Sequence, residues 1–575
     1  MTCIFERTYP RTIDELVARF STPGMRGARV DAWLFDDQAA RLAAQAALRA
    51  MGVEARLHSA YKPLLHFFLE DMSGRALTSA AIGYPCHSGC EHNRFLLETY
   101  PLAGLLPHVA LTLFPSGKED FFYDVALQFA DGHRESHRVF APNRVHEDYI
   151  GETTVSPTGW LMVNHVGRHE SARLETTYET LFHDVISAIA AYDWGDREPY
   201  FEELNIAVSL PMVDHRLPYG EESISLSEAL HEDIYFSLLE IFQKKSGRPV
   251  GDRGLRPGQI VPVVQCRDGS LSARVEVRSF DATDTFVEAQ SLEGATRPLS
   301  AQQIQRELIN IGGERFTATS YVGRDILATY VKGTDVPMMV SSGQHANETT
   351  GVVGALRAAT RLIQRGGAHF SISPQDNPDG YELHQRLRAS QPHHMHHAAR
   401  YTALGDDLEY RSDEGFYERA IRKKAETRTN AVLHVNLHGY PAHEWTRPLS
   451  GYVPRTFAMW TLPKGHFLIM RHHAGWAERA EKIIMRVTRH LADIDELMAF
   501  NAAQLRLFEL HAGAPGLRMI NGIPCQISLD DRHATPMTLI SEYPDETIYG
   551  EAFIRGHTAQ METVLAAYAA LQDLI

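Results

Sequence analysis

His345 and Glu348 are the first residues whose types and spacing indicate a metal site. The apolar run 337–340 before them is predicted to be a buried strand, and the segment 348–364 is predicted to be a helix. At a strand-to-helix turn, an imidazole nitrogen and a carboxylate oxygen three positions apart can bind one ion, and Zn²⁺ accepts both donors. Asn347 supplies a side chain that can cap the predicted helix.

A third donor is predicted at His438, which follows the apolar run 431–437, another predicted buried strand. Three protein ligands with one position left for water are typical of catalytic zinc sites. Taken alone, a His-x-x-Glu pair is far more often a helix cap or a surface pair than a metal site. The motifs around these residues decide between the two interpretations.

The turn sequence Asn377–Gly380 lies between the two parts of the candidate site, and Gly439-Tyr440 follow its last histidine. The order His-x-x-Glu, Asn-Pro-Asp-Gly and Leu-His-Gly-Tyr resembles that of the zinc carboxypeptidase family, the carboxypeptidase A-like metallopeptidases. The resemblance covers roughly residues 300–575 and does not extend to the first half of the chain. It implies one Zn²⁺ per chain, bound by His345, Glu348 and His438.

The resemblance also implies catalytic and binding roles. Glu542 stands where the family carries its catalytic glutamate, so it is expected to be general base and then general acid. An arginine shortly after the Asn-Pro-Asp-Gly turn is expected to stabilise the oxyanion, which favours Arg386, with Arg388 as the alternative and a candidate for substrate binding. Asn377 and Tyr440, within the motifs, are predicted to contact substrate.

The sequence departs from the family at the element that binds the substrate's terminal carboxylate. The family has Asp-Leu-Asn-Arg there, and this chain has Asp407-Leu408 followed by Glu409 and Tyr410. A carboxylate at Glu409 repels an anionic terminus unless Arg411 compensates for it. We therefore expect Glu409, Tyr410 and Arg411 to bind substrate with a non-standard C-terminal specificity.

The predicted function is zinc-dependent hydrolysis of a peptide or related amide bond by a metal-activated water, as in a metallocarboxypeptidase. One alternative is an N-acyl amino acid deacylase that resembles the aspartoacylase and succinylglutamate desuccinylase branch. Another, from a different class, is a catalytically inactive pseudo-enzyme that binds peptides. Glu542 argues against the pseudo-enzyme, because a site that only binds has no need of an acid–base carboxylate beside an open metal.

The elements that must position these residues are predicted to form an α/β fold. With 575 residues the chain is too long for one core. We predict a mixed α/β N-terminal region over 1–100, a strand-rich accessory domain over 101–297 and a zinc carboxypeptidase-like catalytic domain over 298–575. The last alternates strands and helices, which predicts a mixed, largely parallel sheet with helices on both faces, preceded by an α+β, strand-rich region. Ligand groups are then expected beyond the carboxyl ends of the strands.

No chemistry is predicted in the accessory domain, which is expected to wall the site or to hold subunits together in a homo-oligomer. Turn residues between two of its apolar runs, 258–264 and 273–277, predict a hairpin. The helices predicted in the catalytic domain, besides the one after the His-x-x-Glu pair, cover 301–309, 413–427, 473–510 and 557–574.

Composition narrows the partners and the compartment. The chain has 56 Lys and Arg against 72 Asp and Glu, a formal charge of −16, which argues against a nucleic-acid surface. We expect a peptide or acyl-amino-acid substrate, no nucleic acid and no membrane. Five scattered cysteines and the lack of a signal sequence or an apolar span predict a cytoplasmic protein. Two clusters are considered as second metal sites: Cys86 to His92 is more often a polar loop, and His393 to His397 is expected to line the rim of the cleft with solvated imidazoles.

Overall fold

The computed structural model describes residues 1–281, 288–411, 416–455 and 457–574. Its first half contains sixteen strands, namely β1 (Thr2–Tyr9), β2 (Arg29–Leu34), β3 (Glu54–Ser59), β4 (Leu77–Tyr84), β5 (Ala110–Pro115), β6 (Phe122–Phe129), β7 (Arg134–Phe140), β8 (Asn143–Glu147), β9 (Thr153–Pro157), β10 (Gly159–His165), β11 (Arg168–Leu174), β12 (Glu203–Leu210), β13 (His215–Arg216), β14 (Ser223–Ile224), β15 (Gln259–Cys266) and β16 (Leu271–Arg278). The α-helices of this half are α1 (Thr12–Phe20), α2 (Gln38–Ala50), α3 (Pro63–His66), α4 (Arg94–Glu98), α5 (Leu102–Leu105), α6 (Thr177–Ala191) and α7 (Leu226–Lys245).

Twelve of these strands form three four-stranded sheets, in the orders β1-β16-β12-β15, β11-β10-β2-β3 and β5-β4-β6-β7, and the other four form the two-stranded sheets β8-β9 and β13-β14. All three combine strands from before and after residue 100. The predicted boundary at residue 100 therefore does not separate two units. The predicted hairpin of β15 and β16 is also wrong, because β12 pairs with both and lies between them. Turn residues indicate only local geometry, and they cannot show that an earlier strand of the chain lies between the two that they connect.

The second half contains the strands β17 (Glu314–Thr319), β18 (Asp325–Val331), β19 (Met338–Ser342), β20 (Phe370–Ser373), β21 (Leu433–Pro441), β22 (Phe467–His472), β23 (Arg518–Ile520), β24 (Ile523–Leu529) and β25 (Met537–Glu546). Its α-helices are α8 (Ala301–Ile311), α9 (Thr350–Arg365), α10 (Pro378–Arg388), α11 (His397–Arg400), α12 (Arg419–Thr429), α13 (Ala477–Ala492), α14 (Asp495–Ala512) and α15 (Glu551–Leu574).

The strands of this half form one nine-stranded sheet, β17-β18-β20-β19-β21-β25-β22-β24-β23. The four central strands β20, β19, β21 and β25 are parallel, whereas β17, β18 and the β22–β25 and β23–β24 pairs are antiparallel. The predicted mixed α/β class is confirmed, and the parallel pairs are those of the four central strands together with the β22–β24 pair near one edge. Every residue of β21 is buried, as expected for a central strand covered on both faces.

Helices cover both faces of the nine-stranded sheet. On one face, α8, α9, α13 and α15 contribute to a core that includes Val353 and Leu571. On the other face, α12 packs Ile421 against Met339 and Phe316. The helix predicted at 413–427 begins at Arg419, and part of its predicted start lies outside the described residues. The predicted helix 473–510 is two helices, because the helical conformation is interrupted between the end of α13 and the start of α14.

Helix α7 joins the two halves of the chain through buried polar contacts. Arg447 Nη1 donates to Glu240 Oε1 at 2.8 Å, and His443 Nε2 lies 2.7 Å from Glu228 Oε1. Both glutamates belong to α7, and all four side chains are buried. The first half is therefore packed directly behind the loop that follows β21. Within the described ranges, no helix is both long and apolar enough to cross a membrane.

Candidate metal centre and active site

The turn after β19 is shaped by Gly343. Its φ is +65°, and a Cβ at this position would lie 3.2 Å from the carbonyl oxygen of Pro374. Both the positive φ and the close approach disfavour a side chain, so glycine suits this sharp turn, which presents His345. The backbone NH of Asn377 donates to the Gly343 carbonyl oxygen at 3.0 Å, which ties the Asn-Pro-Asp-Gly turn to this turn.

Helix α9 begins at Thr350, two residues later than predicted, and Asn347 does not cap it. A distant carboxylate does so instead, because Asp545 Oδ2 accepts hydrogen bonds from Thr350 N at 2.8 Å and from Thr350 Oγ1 at 2.7 Å. Asn347 donates to Glu546 Oε2 at 2.7 Å. Glu348 is thus outside the helix, in the turn, and its carboxylate is free to face the strand ends.

Three donor atoms converge at this turn. His345 Nδ1 lies 2.9 Å from Glu348 Oε1, and His438 Nδ1 lies 3.0 Å from Glu348 Oε2 and 3.0 Å from His345 Nδ1. The three side chains are buried. They come from the predicted positions, and within the described ranges this is the only His, Cys, Asp or Glu group with metal-binding geometry.

The charges of the group suit a cation. Burial opposes ionisation, but the charges of His345, Arg400 and His438 hold the pKa of Glu348 well below its ordinary value. Burial lowers the pKa of His438, whereas the pKa of His345 is raised because Glu348 and Asp407 outweigh burial and Arg400. One carboxylate and two facing imidazole nitrogens surround a position that a cation or a proton can occupy. An N₂O donor set at these separations fits Zn²⁺, which binds such donors at about 2.0–2.2 Å.

His438 is placed by the pairing of β21 with β25, in which it lies opposite Glu542. The next residue is Gly439, where a Cβ would lie 2.0 Å from Asp545 Oδ1. The two strands can therefore stay paired beyond His438 only with glycine there. The backbone NH of Gly439 donates to Glu348 Oε2 at 3.0 Å, which fixes the carboxylate beside the imidazole.

The donor group opens into a cavity of about 130 Å³. Its wall combines charged, aromatic and aliphatic side chains from both halves of the chain, and the lining residues are Arg253, Gln344, His345, His397, Arg400, Asp407, Glu409, Tyr410, His438, Gly439, Tyr440, Pro441, Trp445, Phe457, Trp460, Ile469, Arg471, Ile540 and Glu542. A concave site with a few converging polar groups is the usual form of a small-molecule or peptide site.

Glu542 lines the cavity next to the donor group. Burial and the negative charge of Glu348 raise the pKa of Glu542 well above its ordinary value, against the positive charges of Arg400 and Lys464. A raised pKa lets a carboxyl group both hold and release a proton near neutral pH. A cation at the neighbouring site lowers that pKa again, because it offsets the charge of Glu348.

The arginines predicted to stabilise an oxyanion are not at the cavity. Arg386, on α10, pairs with Glu203 of β12 at 2.6 Å, and Arg388 donates to Gln385 at 2.7 Å. Arg400 lines the cavity instead, and its Nη1 lies 2.5 Å from Glu348 Oε1. The prediction of Arg386 is therefore wrong, because the face of α10 that carries it turns towards the first half of the chain.

Asn377 does not line the cavity either. Its side chain accepts from the Gly380 NH at 3.0 Å, which caps α10, and donates to the Tyr401 carbonyl oxygen at 3.0 Å. It thus holds the segment that carries Arg400. Tyr440 does line the cavity, but its hydroxyl donates to the Gly465 carbonyl oxygen at 2.6 Å.

Glu409 and Tyr410 line the cavity, as the sequence predicted for substrate-binding residues, but Arg411 does not. Arg411 is buried and pairs with Asp406 at 2.6 Å and with Glu418. It does not offset Glu409, because its guanidinium lies outside the cavity, between Asp406 and Glu418. Arg471 takes that role, with Nη1 at 2.6 Å from Glu409 Oε1.

Three further residues at the site were missed by sequence analysis. Asp407 Oδ1 lies 3.4 Å from His345 Nε2, an arrangement that fixes the imidazole tautomer. Arg253, from the segment where no chemistry was predicted, lines the cavity and lies 3.6 Å from Asp407 Oδ2. Burial lowers the pKa of Lys464 to about 7, and its Nζ lies 4.5 Å from the Trp460 ring centroid. Asp407 stands in the Asp-Leu pair that matches the family motif, whereas no local signal in the sequence marks Arg253 or Lys464.

The clusters considered for a second metal have other contacts. His397 Nδ1 lies 2.6 Å from Glu232 Oε2, and His394 Nε2 lies 3.1 Å from Asp214 Oδ2. Both histidines are buried between the two halves of the chain, not on a solvated rim as expected. The Cys86 and Cys90 thiols each face a backbone carbonyl oxygen, those of Tyr84 and His87.

No protein-family model and no curated protein matches the chain. Weak similarity is found to a metallo-carboxypeptidase from Burkholderia cenocepacia, at 12% identity over 54% of this chain and 78% of that chain, with a TM-score of 0.31. Bovine thrombin-activatable fibrinolysis inhibitor, in complex with a tick carboxypeptidase inhibitor, is 10% identical over 49% of this chain and 98% of that chain, with a TM-score of 0.30. A succinylglutamate desuccinylase/aspartoacylase from Rhodobacter sphaeroides is 13% identical over 44% of this chain and 65% of that chain, with a TM-score of 0.23.

Proposed function

We propose that the chain is a zinc-dependent hydrolase of peptide or related amide bonds, similar in its chemistry to metallocarboxypeptidases. The observation that carries the proposal is the convergence of His345, Glu348 and His438 at a cavity wall that also carries Glu542. A peptide-binding protein without activity has no use for an acid–base carboxylate in that position.

His345, Glu348 and His438 would hold the ion, with Asp407 and the Gly439 NH fixing the first two donors. When bound, Zn²⁺ supplies acidification of water and polarisation of a carbonyl group. The remaining steps belong to the side chains of the cavity. The three ligands leave one side of the site open towards the side chains of the cavity.

Glu542 handles the proton. As general base it takes a proton from the attacking water while the new carbon–oxygen bond forms. As general acid it returns that proton to the nitrogen of the amide while the carbon–nitrogen bond breaks. One water is consumed, and a carboxylic acid and an amine are released. The residue that leaves with the amine must therefore lie beside Glu542.

Arg400 is the proposed group for the negative charge that develops on the carbonyl oxygen. It lines the cavity, and its guanidinium lies against Glu348, so it faces the reacting centre from the side of the donor group. A fixed cation in a partly dry site stabilises a developing oxyanion more than water does.

The test is hydrolysis by the zinc-loaded protein of three substrate sets: benzoyl-dipeptides with a free C-terminus, the same dipeptides amidated, and N-acyl amino acids. The matched control is Glu542→Gln protein prepared in the same way, which excludes contaminating hydrolases. We expect amine release above the control from the dipeptide sets. Release from N-acyl amino acids alone would identify a deacylase instead. Equal release by wild type and Glu542→Gln in all three sets would refute the proposal.

A further inference from the structure

The floor of the cavity is formed by the antiparallel strands β22 and β25. In their register, Phe467 lies opposite Glu542, Ile469 opposite Ile540, and Arg471 opposite Thr538. Side chains on one face of such a pair recur every two residues. Ile469, Arg471, Ile540 and Glu542 all line the cavity, as expected for residues on one face.

The floor therefore has a fixed order. It begins with the acid–base carboxylate Glu542, continues with the apolar pair Ile469 and Ile540, and ends with the guanidinium of Arg471. Arg471 is four residues from the position opposite Glu542, about 13 Å along the strand at roughly 3.3 Å per residue. The long arginine side chain shortens that gap. A bound residue beside Glu542 meets apolar surface first and a cation beyond it.

The cation belongs to a charged group that we call the Glu409 cluster, which consists of Glu409, Asp530, Arg422, Arg471, Arg532 and His533. Glu409 lies 2.6 Å from Arg471, 3.2 Å from Arg422 and 3.6 Å from Arg532, and His533 Nε2 lies 2.9 Å from Glu409 Oε1. Asp530 lies 2.6 Å from Arg532 and 3.6 Å from Arg471.

Three guanidinium groups in this cluster face its two carboxylates, and the charge of Arg422 also acts on the buried Asp376. Burial opposes ionisation of Glu409, but the His533 hydrogen bond and the charges of Arg422 and Arg471 hold its pKa well below the ordinary value. Arg471 is the guanidinium of the cluster that lines the cavity, and its side chain is 21% exposed. A guanidinium binds a carboxylate through paired hydrogen bonds, and partial burial strengthens them.

We propose that Arg471 binds a carboxylate on the side chain of the residue released with the amine, so that the substrates are amides of an acidic amino acid such as glutamate. This inference rests on the proposed function, because Glu542 identifies the leaving side of the cavity. The methylene groups of the released residue then pack against Ile469 and Ile540. Neither Ile469 nor Ile540 carries a polar group that would bind the amide of a glutamine or asparagine side chain.

The experiment compares four benzoyl-glycyl substrates: those ending in glutamate or glutamine, and the α-amides of both. We expect kcat/KM to be at least tenfold higher for glutamate than for glutamine, and the preference to persist between the two α-amides. A preference that follows the α-carboxylate and ignores the side chain would mean that the main chain supplies the anion, which overturns the proposal.

Two variants and one control locate the effect. Arg471→Gln should reduce the glutamate-to-glutamine ratio to about one, and Glu409→Gln should raise it because the competing carboxylate is gone. Arg532→Gln removes one positive charge from the same cluster at a residue that does not line the cavity, and should leave the ratio above fivefold. An unchanged ratio in the Arg471→Gln protein overturns the proposal.

Binding separates this proposal from the proposed function. Calorimetry on the Glu542→Gln protein with the two α-amides does not depend on turnover. Tenfold tighter binding of the glutamate compound without hydrolysis by wild type would refute the hydrolase and support the Arg471 site. Hydrolysis with equal affinity and equal kcat/KM for both compounds would support the hydrolase and refute the Arg471 site.

Discussion

Replacement of Arg400 by glutamine separates the two roles that this residue can have. In one role it only anchors a metal ligand, because its Nη1 lies 2.5 Å from Glu348 Oε1. It also lines the cavity, so it could stabilise the oxyanion. The two roles predict opposite effects on zinc affinity, whereas activity falls in both cases.

In the oxyanion role, Arg400→Gln removes a donor to the transition state, which costs about 10²–10³ in kcat, or roughly 2.7–4 kcal/mol. Zinc should bind as tightly as before or more tightly, because a positive charge in contact with Glu348 no longer opposes the cation. In the anchoring role, Glu348 becomes misplaced and zinc affinity falls.

The assay is steady-state kinetics on a benzoyl-dipeptide together with zinc affinity by chelator competition. Arg386→Gln and Arg388→Gln are matched controls, since both arginines lie on α10 and outside the cavity, and each should change kcat less than about threefold. Arg400→Lys should recover part of the lost kcat. A tenfold weaker zinc affinity in Arg400→Gln, or an unchanged kcat, would refute the oxyanion assignment.

Two further predictions concern titratable groups: Glu542 at the site, and His443 at the interface between the two halves of the chain. Glu542→Gln should keep zinc and substrate binding but lose about a hundredfold or more in kcat, as measured by calorimetry and kinetics; near-normal turnover would contradict its role. Burial lowers the pKa of His443, but Glu228 outweighs it and the pKa is about 9. The stability from this pair is fully present below about pH 6.5 and lost as pH rises through about 9. Thermal unfolding of wild type should therefore lose about 3 kcal/mol more over that range than His443→Gln, and parallel curves would contradict the pKa.

His345 and His438 could be predicted because each follows a continuous apolar run that forms a central strand, and Glu348 stands three residues after His345. Such strands are central and parallel, and their carboxyl ends meet at one edge of the sheet, so His345 and His438 had to lie close together. Glu542 followed from the same reasoning on β25. Periodicity predicted the strands that place these side chains, and the resemblance to the zinc carboxypeptidase family supplied their expected roles.

Arg400 and Arg253 could not be predicted in this way. Arg400 ends the four-residue helix α11, too short to show periodicity, and it is held by a hydrogen bond from Asn377 to the next carbonyl group. Arg253 reaches the cavity because the first half of the chain packs against the second around α7, a contact that no local pattern encodes. The antiparallel strand β22, hidden before a long apparent helix, was missed, and Arg471 with it.

The central claim is that His345, Glu348 and His438 hold one Zn²⁺ that is required for hydrolysis. The most direct measurement is zinc content by elemental analysis of purified wild type, His345→Ala and His438→Ala, with His393→Ala and Cys86→Ala as controls from the two clusters with other contacts. We predict one zinc per chain in wild type and in both controls, and loss of zinc together with activity in the two ligand variants. Full zinc content in folded His438→Ala protein would contradict the account.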